Sequence, residues 1–229
     1  MAVLESNESV LALPPVATRW QSREVAQTYD RKRFSSFLGR LFNYLSRRAL
    51  CRALTSIQGE LDTVLDLPCG TGRATEIVRR FSSRVTGADI SCAMIAEAAR
   101  RLGSSGRSCF VSANVTRQPF PDDAFSCITS IRFMMHLDDA TRRAALREMA
   151  RVASRYVVVE YGYTTAWLRL RRAMKCRMLT LFGKKTSFVR AVPWESIQAD
   201  IDQADLELLR AYPTARGLSE SIMLVLKKR

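Results

Sequence analysis

Asp66-Leu67-Pro68-Cys69-Gly70-Thr71-Gly72-Arg73 closes a short apolar run in a glycine-rich turn. Gly70 and Gly72 let backbone come close to a ligand, and a helix opening just after the turn offers free N–H groups to it. A dinucleotide fingerprint places Gly or Ala at the sixth position from its first glycine, where helix and strand pack closely. Counted from Gly70, that position is Thr75, so the turn departs from the dinucleotide pattern. A second acid, Asp89, ends the next apolar run. The single histidine, His136, follows the fourth run; it is able to take a proton from a hydroxyl or to position an acceptor. The plainer reading of His136 is a side chain bonded to backbone at a strand–helix turn. Cys51, Cys69, Cys92, Cys109, Cys127 and Cys176 form no C-x₂₋₄-C half-site, and one histidine cannot complete one, so no structural metal is expected. The cysteines read as reduced, small core residues.

These residues need a scaffold. Apolar residues from Phe34 to Ile57 recur at helical spacing with Arg40, Arg47, Arg48 and Arg52 between them, which predicts one or two amphipathic helices with a basic outer face. Strands are expected at 63–67, 84–90, 109–113, 125–131 and 156–161, and helices at 74–81, at 91–102 with Ser91 as cap, and at 138–153. A helix at 194–205 precedes strands at 206–212 and 222–227, whose short link allows only an antiparallel hairpin. The expected fold is α/β: a Rossmann-like, doubly wound, mostly parallel sheet of seven strands with an antiparallel C-terminal hairpin and helices on both faces. In such sheets ligands bind beyond the C-terminal strand ends, where the strand order reverses. Residues 1–20, with Pro14-Pro15, read as a flexible lead-in. Residues 21–229 read as one domain, with cap helices at about 23–58 and a basic lid insertion at about 162–193.

The register of motifs then becomes specific. Val64-Leu65-Asp66-Leu67-Pro68-Cys69-Gly70-Thr71-Gly72-Arg73 resembles the first motif of the class I S-adenosylmethionine-dependent methyltransferases, an acid followed by glycines at alternate positions. Pro68 stands where the first glycine usually lies; its ring fixes φ at about −65°, so the turn is expected to differ slightly. Asp89, in Val85-Thr86-Gly87-Ala88-Asp89-Ile90-Ser91, resembles the acid that holds the ribose hydroxyls, and a carboxylate can accept two hydrogen bonds from a vicinal diol. The resemblance implies that Ile90 and Met94 flank the adenine. Asn114-Val115 lies where the family usually has Asp, and the Asn114 amide oxygen is still able to accept from the adenine amino group. Pro119-Phe120-Pro121-Asp122-Asp123-Ala124-Phe125 resembles the lead into the fourth strand, with Ser126 replacing a frequent Asp. Tyr29-Asp30-x-x-Arg33 resembles a segment that closes over the cofactor, with Arg33 pairing with the methionine carboxylate and Tyr29 packing nearby. The same resemblance, from about Tyr29 to the C-terminus, puts Asp66, Pro68, Cys69, Gly70, Thr71, Gly72, Val115 and Ser130 in the cofactor site. It implies S-adenosylmethionine as cofactor, S-adenosylhomocysteine as product, and no metal.

Methyl transfer from a sulfonium is an in-line displacement on an activated carbon, where alignment alone supplies ~7–11 kcal/mol. A base is required only when the nucleophile carries a proton. The sequence displays no catalytic dyad; His136, Glu160 and Tyr161 are the candidates for acceptor contact.

The chain has 229 residues, 36 basic and 22 acidic, with 47% apolar and 25% charged residues, a balance that excludes a disordered or fibrous chain. No apolar run approaches the ~18 residues of a membrane span, and the first residues, with Glu5 and Glu8, lack the pattern of a secretory signal. A soluble, cytoplasmic protein is expected. The net charge of +14 is localised: residues 31–59 hold seven basic residues and residues 161–194 hold eight, neither with an acid. In the second stretch Trp167, Leu168, Leu170, Met174, Met178, Leu179, Leu181 and Phe182 interleave with Arg169, Arg171, Arg172, Lys175, Arg177, Lys184 and Lys185. Such a helix suits the interface of an anionic membrane, at its inner face, or a lid over an anionic or amphiphilic small molecule, or a core-packing helix with a solvated face.

The first expectation is a methyltransferase acting on a small-molecule acceptor, anionic or lipid-like, similar to the ubiquinone-pathway and natural-product group, with O-, N- or C-methylation open. Methylation of RNA or ribosomes is the alternative, since a basic surface also fits nucleic acid. Ser130-Ile131-Arg132-Phe133 stands where an Asn/Asp-Pro-Pro-aromatic tetrad would mark methylation of a base amino group, which argues against that branch. A non-catalytic module of the same fold is the third reading.

Overall fold

Val64, Leu65, Cys127, Ile128, Val157, Val158 and Val159 leave no polar side in the middle of their strands, which demands cover on both faces. The computed structural model, which describes Glu24 and residues 35–103, 108–181 and 190–229, supplies that cover. The strands are β1 (Thr63–Asp66), β2 (Arg84–Asp89), β3 (Ser108–Ser112), β4 (Phe125–Ser130), β5 (Ala153–Thr164), β6 (Val192–Pro193), β7 (Leu206–Pro213) and β8 (Ser221–Lys228). They form one sheet in the order β3-β2-β1-β4-β5-β8-β7, with β6 pairing beside β5. The first five are mutually parallel, and β8 runs antiparallel between β5 and β7. The sheet thus has eight strands. The addition to the seven expected is the two-residue β6, formed where the chain returns from the insertion and pairs with Tyr163 and Thr164.

The helices are α1 (Phe37–Thr55), α2 (Arg73–Val78), α3 (Cys92–Leu102), α4 (Asp139–Val152), α5 (Ala166–Leu181) and α6 (Trp194–Gln203). Ser36 caps α1, Ser91 caps α3 and Asp138 caps α4, each side chain accepting a backbone N–H of the first turn. One face of the sheet packs Val64, Val85, Val158, Met223 and Val225 against Ala49, Leu50, Ala53 and Leu54 of α1 and Ile77 and Val78 of α2. The other packs Leu65, Ile128, Val157, Val159 and Leu224 against Leu146 and Met149 of α4 and Ile197 and Ile201 of α6. Alternation along β5 therefore sends Glu160 to the α1 side and Tyr161 to the α4 side.

On that second side Arg142 is buried. Its Nε lies 2.6 Å from Asp200 Oδ2 and its Nη1 lies 2.9 Å from Asp139 Oδ1, and the Tyr161 hydroxyl donates to Asp200 at 3.5 Å. This cluster ties α4 to α6 and β5. Arg190 joins it through Asp139 at 3.3 Å, while its backbone N–H donates to the Met135 carbonyl at 3.2 Å.

Several expectations need adjustment. Within 23–58 the described residues hold one long helix, and the segment with Tyr29 and Arg33, like the lead-in at 1–20, lies outside them. In the insertion, β5 runs on to Thr164 and α5 follows at once. Of the cysteines only Cys69 and Cys127 are buried; Cys92 opens α3 and Cys109 sits on the edge strand β3, and both are exposed. Tyr161 bonds within the Asp200 cluster, on the face opposite to the turn's helix, so it is a structural residue and not an acceptor contact.

Candidate active site

Strand order reverses at β1, which has β2 on one side and β4 on the other, so a crevice opens where their C-terminal ends diverge. A cleft of about 1300 Å³, its open mouth included, lies there under α1. Its floor is Pro68, Cys69 and Thr71 of the turn; one side is Asp89, Ile90, Met94, Asn114 and Val115; the other is Ile131, Phe133, His136 and Leu137; Asn43, Ser46, Arg47 and Leu50 close it from α1.

The turn is held from behind. Asp66 is fully buried and accepts from the Thr75 hydroxyl at 2.6 Å and from the Thr129 hydroxyl at 2.8 Å. Burial, aided by the nearby Asp89 charge, pushes its carboxyl up to about 6 against the lowering by both threonines. Asp66 is therefore a clamp between β1, α2 and β4, and does not line the cleft. The Leu67–Pro68 peptide is cis. Gly72 has φ +79°, and a Cβ there would lie 3.1 Å from the Ala98 Cβ and 3.2 Å from Leu102, so glycine is required for both conformation and packing on α3. Thr75, the residue that breaks the dinucleotide pattern, is the one that clamps Asp66.

Asp89 faces the cleft with a defined hydrogen-bond inventory. Oδ2 accepts the Gly70 N–H at 2.9 Å and Oδ1 accepts the Ser91 N–H at 2.9 Å. Burial raises its pKa and the backbone N–H groups oppose the rise. The Ile90 backbone N–H adds to these, and a carboxylate with about four acceptor sites keeps capacity for a further donor. Gly70 thus acts by presenting its N–H to Asp89, and neither glycine is itself part of the cleft wall.

Asn114 lines the cleft, but its amide oxygen accepts from the Thr116 N–H and the Thr116 hydroxyl, each at 3.0 Å. Both lone pairs of that oxygen are engaged, so the part left for a ligand is the amide nitrogen, a donor; this departs from the acceptor role expected of Asn114. Val115, Ile90 and Met94 supply apolar walls beside it. Ser130 ends β4, fully buried behind the wall. His136 ends a 3₁₀ turn, Met134–His136, with its backbone N–H on the Phe133 carbonyl at 2.8 Å, and its side chain is among the lining groups.

Two groups near the cleft were not singled out by motif. Ser46, on α1, donates to Glu160 at 3.2 and 3.1 Å. Its signal in the sequence is position: it lies three and four residues before Ala49 and Leu50, so a hydroxyl occupies the buried stripe of an amphipathic helix. Arg47 also lines the cleft and pairs with Glu76 at 3.5 Å.

Comparison with known proteins supplies the family. A profile described as a methyltransferase domain matches residues 64–155, which run from β1 into β5. Over 205 residues the chain is 33% identical to a demethylmenaquinone methyltransferase of Clavibacter sepedonicus, covering 86% of this chain and 80% of that protein. The chain belongs to the class I S-adenosylmethionine-dependent methyltransferases. A methyltransferase of Thermobifida fusca with the same name is 32% identical over 120 residues, half of that protein's length. Among solved structures, magnesium protoporphyrin IX methyltransferase from Synechocystis with bound S-adenosylhomocysteine superposes with a TM-score of 0.75, at 15% identity, over 93% of this chain and 98% of that one. At that identity the likeness speaks for the fold.

As a methyltransferase of this class, the protein uses S-adenosylmethionine, and its residues fit that cofactor. The fit rests on Asp89, a carboxylate on the cleft wall that the Gly70 and Ser91 backbone N–H groups orient and that keeps acceptor capacity for a ligand. When bound, the cofactor supplies a methyl group on a positively charged sulfur. Asp89, Ile90 and Met94 would hold the nucleoside, and Ile131, Phe133 and Leu137 form an apolar stretch of the same cleft beneath α1. Among the described residues no group of three His, Cys, Asp or Glu side chains comes together to hold a metal ion.

Proposed function

We propose that this methyltransferase acts on an aromatic quinol-type acceptor, with Asp89 holding the ribose diol, Met94 and Ile90 bracketing the adenine, and the acceptor lying between His136, Phe133 and the α1 side chains. The observation that supports it most is the composition of the single cleft: a polar nucleoside side at Asp89 continues into an apolar side at Leu50, Ile131, Phe133 and Leu137. An aromatic ring suits that second side, and the Clavibacter relative is named for a quinone acceptor. A quinol, electron-rich at ring carbon and oxygen, is the reactive form toward an electrophilic methyl. Tyr29 and Arg33 stay in this proposal as cofactor contacts from the chain preceding α1. RNA methylation is not favoured, because the relative that matches most of the chain is named for a small molecule.

The acceptor side also suggests where the protein works. No helix of the described residues is long and apolar enough to cross a membrane. On α5, however, Trp167, Leu170, Met174 and Met178 are all more than half exposed, at i, i+3, i+7 and i+11, hence on one face. Arg171, Lys175 and Arg177 flank that stripe and no acid occurs in 161–194. An apolar stripe edged by cations matches the interface of an anionic bilayer, from which a lipid-like acceptor could be taken, and we place the protein at the cytoplasmic face of such a membrane.

The experiment is calorimetric titration with S-adenosylhomocysteine, followed by incubation with labelled S-adenosylmethionine and chemically reduced demethylmenaquinone. Micromolar binding and a labelled quinol product are expected. Binding without any labelled product would overturn the acceptor assignment and leave the cofactor site standing.

A further inference from the structure

Glu160 is 2% exposed, near the C-terminal end of β5, on the face that α1 covers. A carboxylate so buried ordinarily has a cation beside it. Here its hydrogen bonds come from hydroxyls: Ser46 of α1 donates to both oxygens at 3.2 and 3.1 Å, and Ser221 of β8 donates to Oε1 in a short contact. Among the described residues no lysine, arginine or histidine lies within ion-pair distance of it. Several charged and titratable groups of the elements packed on this face are engaged elsewhere. Arg47 meets Glu76, Arg52 covers the Tyr212 ring at 5.1 Å, Tyr156 donates to Glu60 at 2.8 Å, and Glu220 meets Arg172 at 3.5 Å. Apolar side chains of similar size would hold α1 to the sheet better than two hydroxyls and a carboxylate.

The second observation is continuity. Ser46 is part of the cleft wall. Beyond Glu160, Ser221 Oγ is 3.0 Å from Thr214 Oγ, and Thr214 lies beside the loop that joins β7 to β8 at the protein surface. Ser46, Glu160, Ser221 and Thr214 thus form an unbroken hydroxyl–carboxylate chain from the acceptor side of the cleft to the sheet's outer end. Because Ser46 spends its proton on Glu160, its oxygen lone pairs are available to a donor in the cleft.

We infer that Ser46 and Glu160 are the proton acceptor of the methyl-transfer reaction, receiving the hydroxyl proton of a phenol- or quinol-type acceptor. The inference rests on the acceptor class proposed above. The acceptor O–H bond breaks and its electron pair stays on the acceptor oxygen. That proton joins Ser46 Oγ as the Ser46 hydroxyl proton passes to the Glu160 carboxylate. One negative charge moves from the carboxylate to the acceptor, and Glu160 becomes a neutral acid. Ser221 and Thr214 offer the path by which that proton leaves after turnover. Ser46 touches the acceptor; Glu160 acts through it.

The test uses the full chain saturated with S-adenosylhomocysteine and a nitronaphthol, whose ionised form absorbs in the visible. Wild-type protein is compared with Glu160→Gln, which keeps an acceptor oxygen for Ser46, and with Ser46→Ala. Probe bound to wild type should ionise at higher pH than probe bound to Glu160→Gln, by about one pH unit, because a proton lost to solvent leaves the probe anion beside the Glu160 carboxylate. In turnover of reduced demethylmenaquinone, Glu160→Gln should lower kcat about 10²-fold with KM little changed, and the deficit should shrink as pH rises or as the acceptor hydroxyl is made more acidic. Equal ionisation of the probe in wild type and Glu160→Gln, or a kcat deficit in either variant that ignores pH and acceptor acidity, reduces Glu160 to an anchor for α1. A cleft that binds S-adenosylhomocysteine and takes no aromatic hydroxyl refutes the acceptor class, and this relay falls with it.

Discussion

Replacing Asp89 by Asn changes one atom and separates two duties of the carboxylate. In the wild type the Gly70 and Ser91 N–H groups each bond one oxygen, both at 2.9 Å, and the carboxylate retains acceptor capacity for the proposed ribose hydroxyls. Asn keeps a single oxygen, so one bond to the diol is lost and an NH₂ group must face one of the two backbone N–H donors. A hydrogen bond to a charged group contributes about 1.5–3 kcal/mol, so affinity for S-adenosylhomocysteine should fall about 10- to 150-fold. Folding stability should move less. The unsatisfied N–H costs about 1–3 kcal/mol, and relief of the burial that raises the Asp89 pKa offsets part of it. Calorimetric titration gives the affinity and urea unfolding the stability. Asp66→Asn is the matched control, the same chemical change at a carboxylate that is fully buried behind the wall, and it should leave affinity within about threefold of wild type. If Asp89→Asn binds like wild type, or if Asp66→Asn loses more affinity than Asp89→Asn, the assignment of the two acids is wrong.

Three further outcomes follow from the same geometry. The Asp66 carboxyl is raised by burial to about 6, so its protonated form is favoured in the folded state. The stability this group provides is full below pH ~4 and lost as pH rises through about 6, by about 3 kcal/mol. Asp66→Asn should lack that decline, and parallel stability curves for variant and wild type between pH 4 and 7 would contradict the burial argument. Gly72→Ala should destabilise by about 2–5 kcal/mol in urea unfolding, combining a left-handed φ of +79° with Cβ contacts of 3.1 Å to Ala98 and 3.2 Å to Leu102; a loss under 1 kcal/mol would mean that the turn adapts. Met174→Asp with Met178→Asp should reduce co-sedimentation with phosphatidylglycerol vesicles at least about tenfold, leaving cofactor affinity unchanged, since both side chains are more than half exposed. Equal binding of wild type to phosphatidylcholine vesicles would remove the electrostatic part of that reading.

The sheet was legible because its signals are local. Thr63–Asp66, Arg84–Asp89 and Phe125–Ser130 are apolar runs closed by turn or cap residues, and Ser91 announces its helix by type alone. The two-residue β6 had no such signal: Val192 and Pro193 pair with β5 only because the chain returns there. The site was legible as far as residue identity on a known turn could carry it. Asp89 ends β2 and lines the cleft, while Gly70 and Gly72 shape the turn without lining it, and the direction of each acid depends on partners remote in sequence. Asp66 turns inward because Thr129, 63 residues later, and Thr75 supply two hydroxyls behind the turn.

Glu160 and Tyr161 mark the limit most clearly. Two adjacent polar residues at a strand end look equivalent in sequence, yet period-two alternation makes it impossible for both to face one site. Which of them lies behind the cleft wall, against Ser46, is decided by the layers on either side. Arg142 and Asp200 already offer Tyr161 a polar, ion-paired environment on the α4 side, whereas the α1 side is apolar apart from Ser46 and its neighbours around Ser221. A carboxylate placed on the apolar side is the harder arrangement to sustain, and it is sustained by the hydroxyls of Ser46 on α1 and Ser221 on β8, the latter backed by Thr214 just after β7. The buried hydroxyl of Ser46 on an otherwise Ala/Leu stripe was the one trace of this in the sequence. Its energetic disadvantage is the reason to look for a role in proton transfer there rather than at the better-satisfied Tyr161.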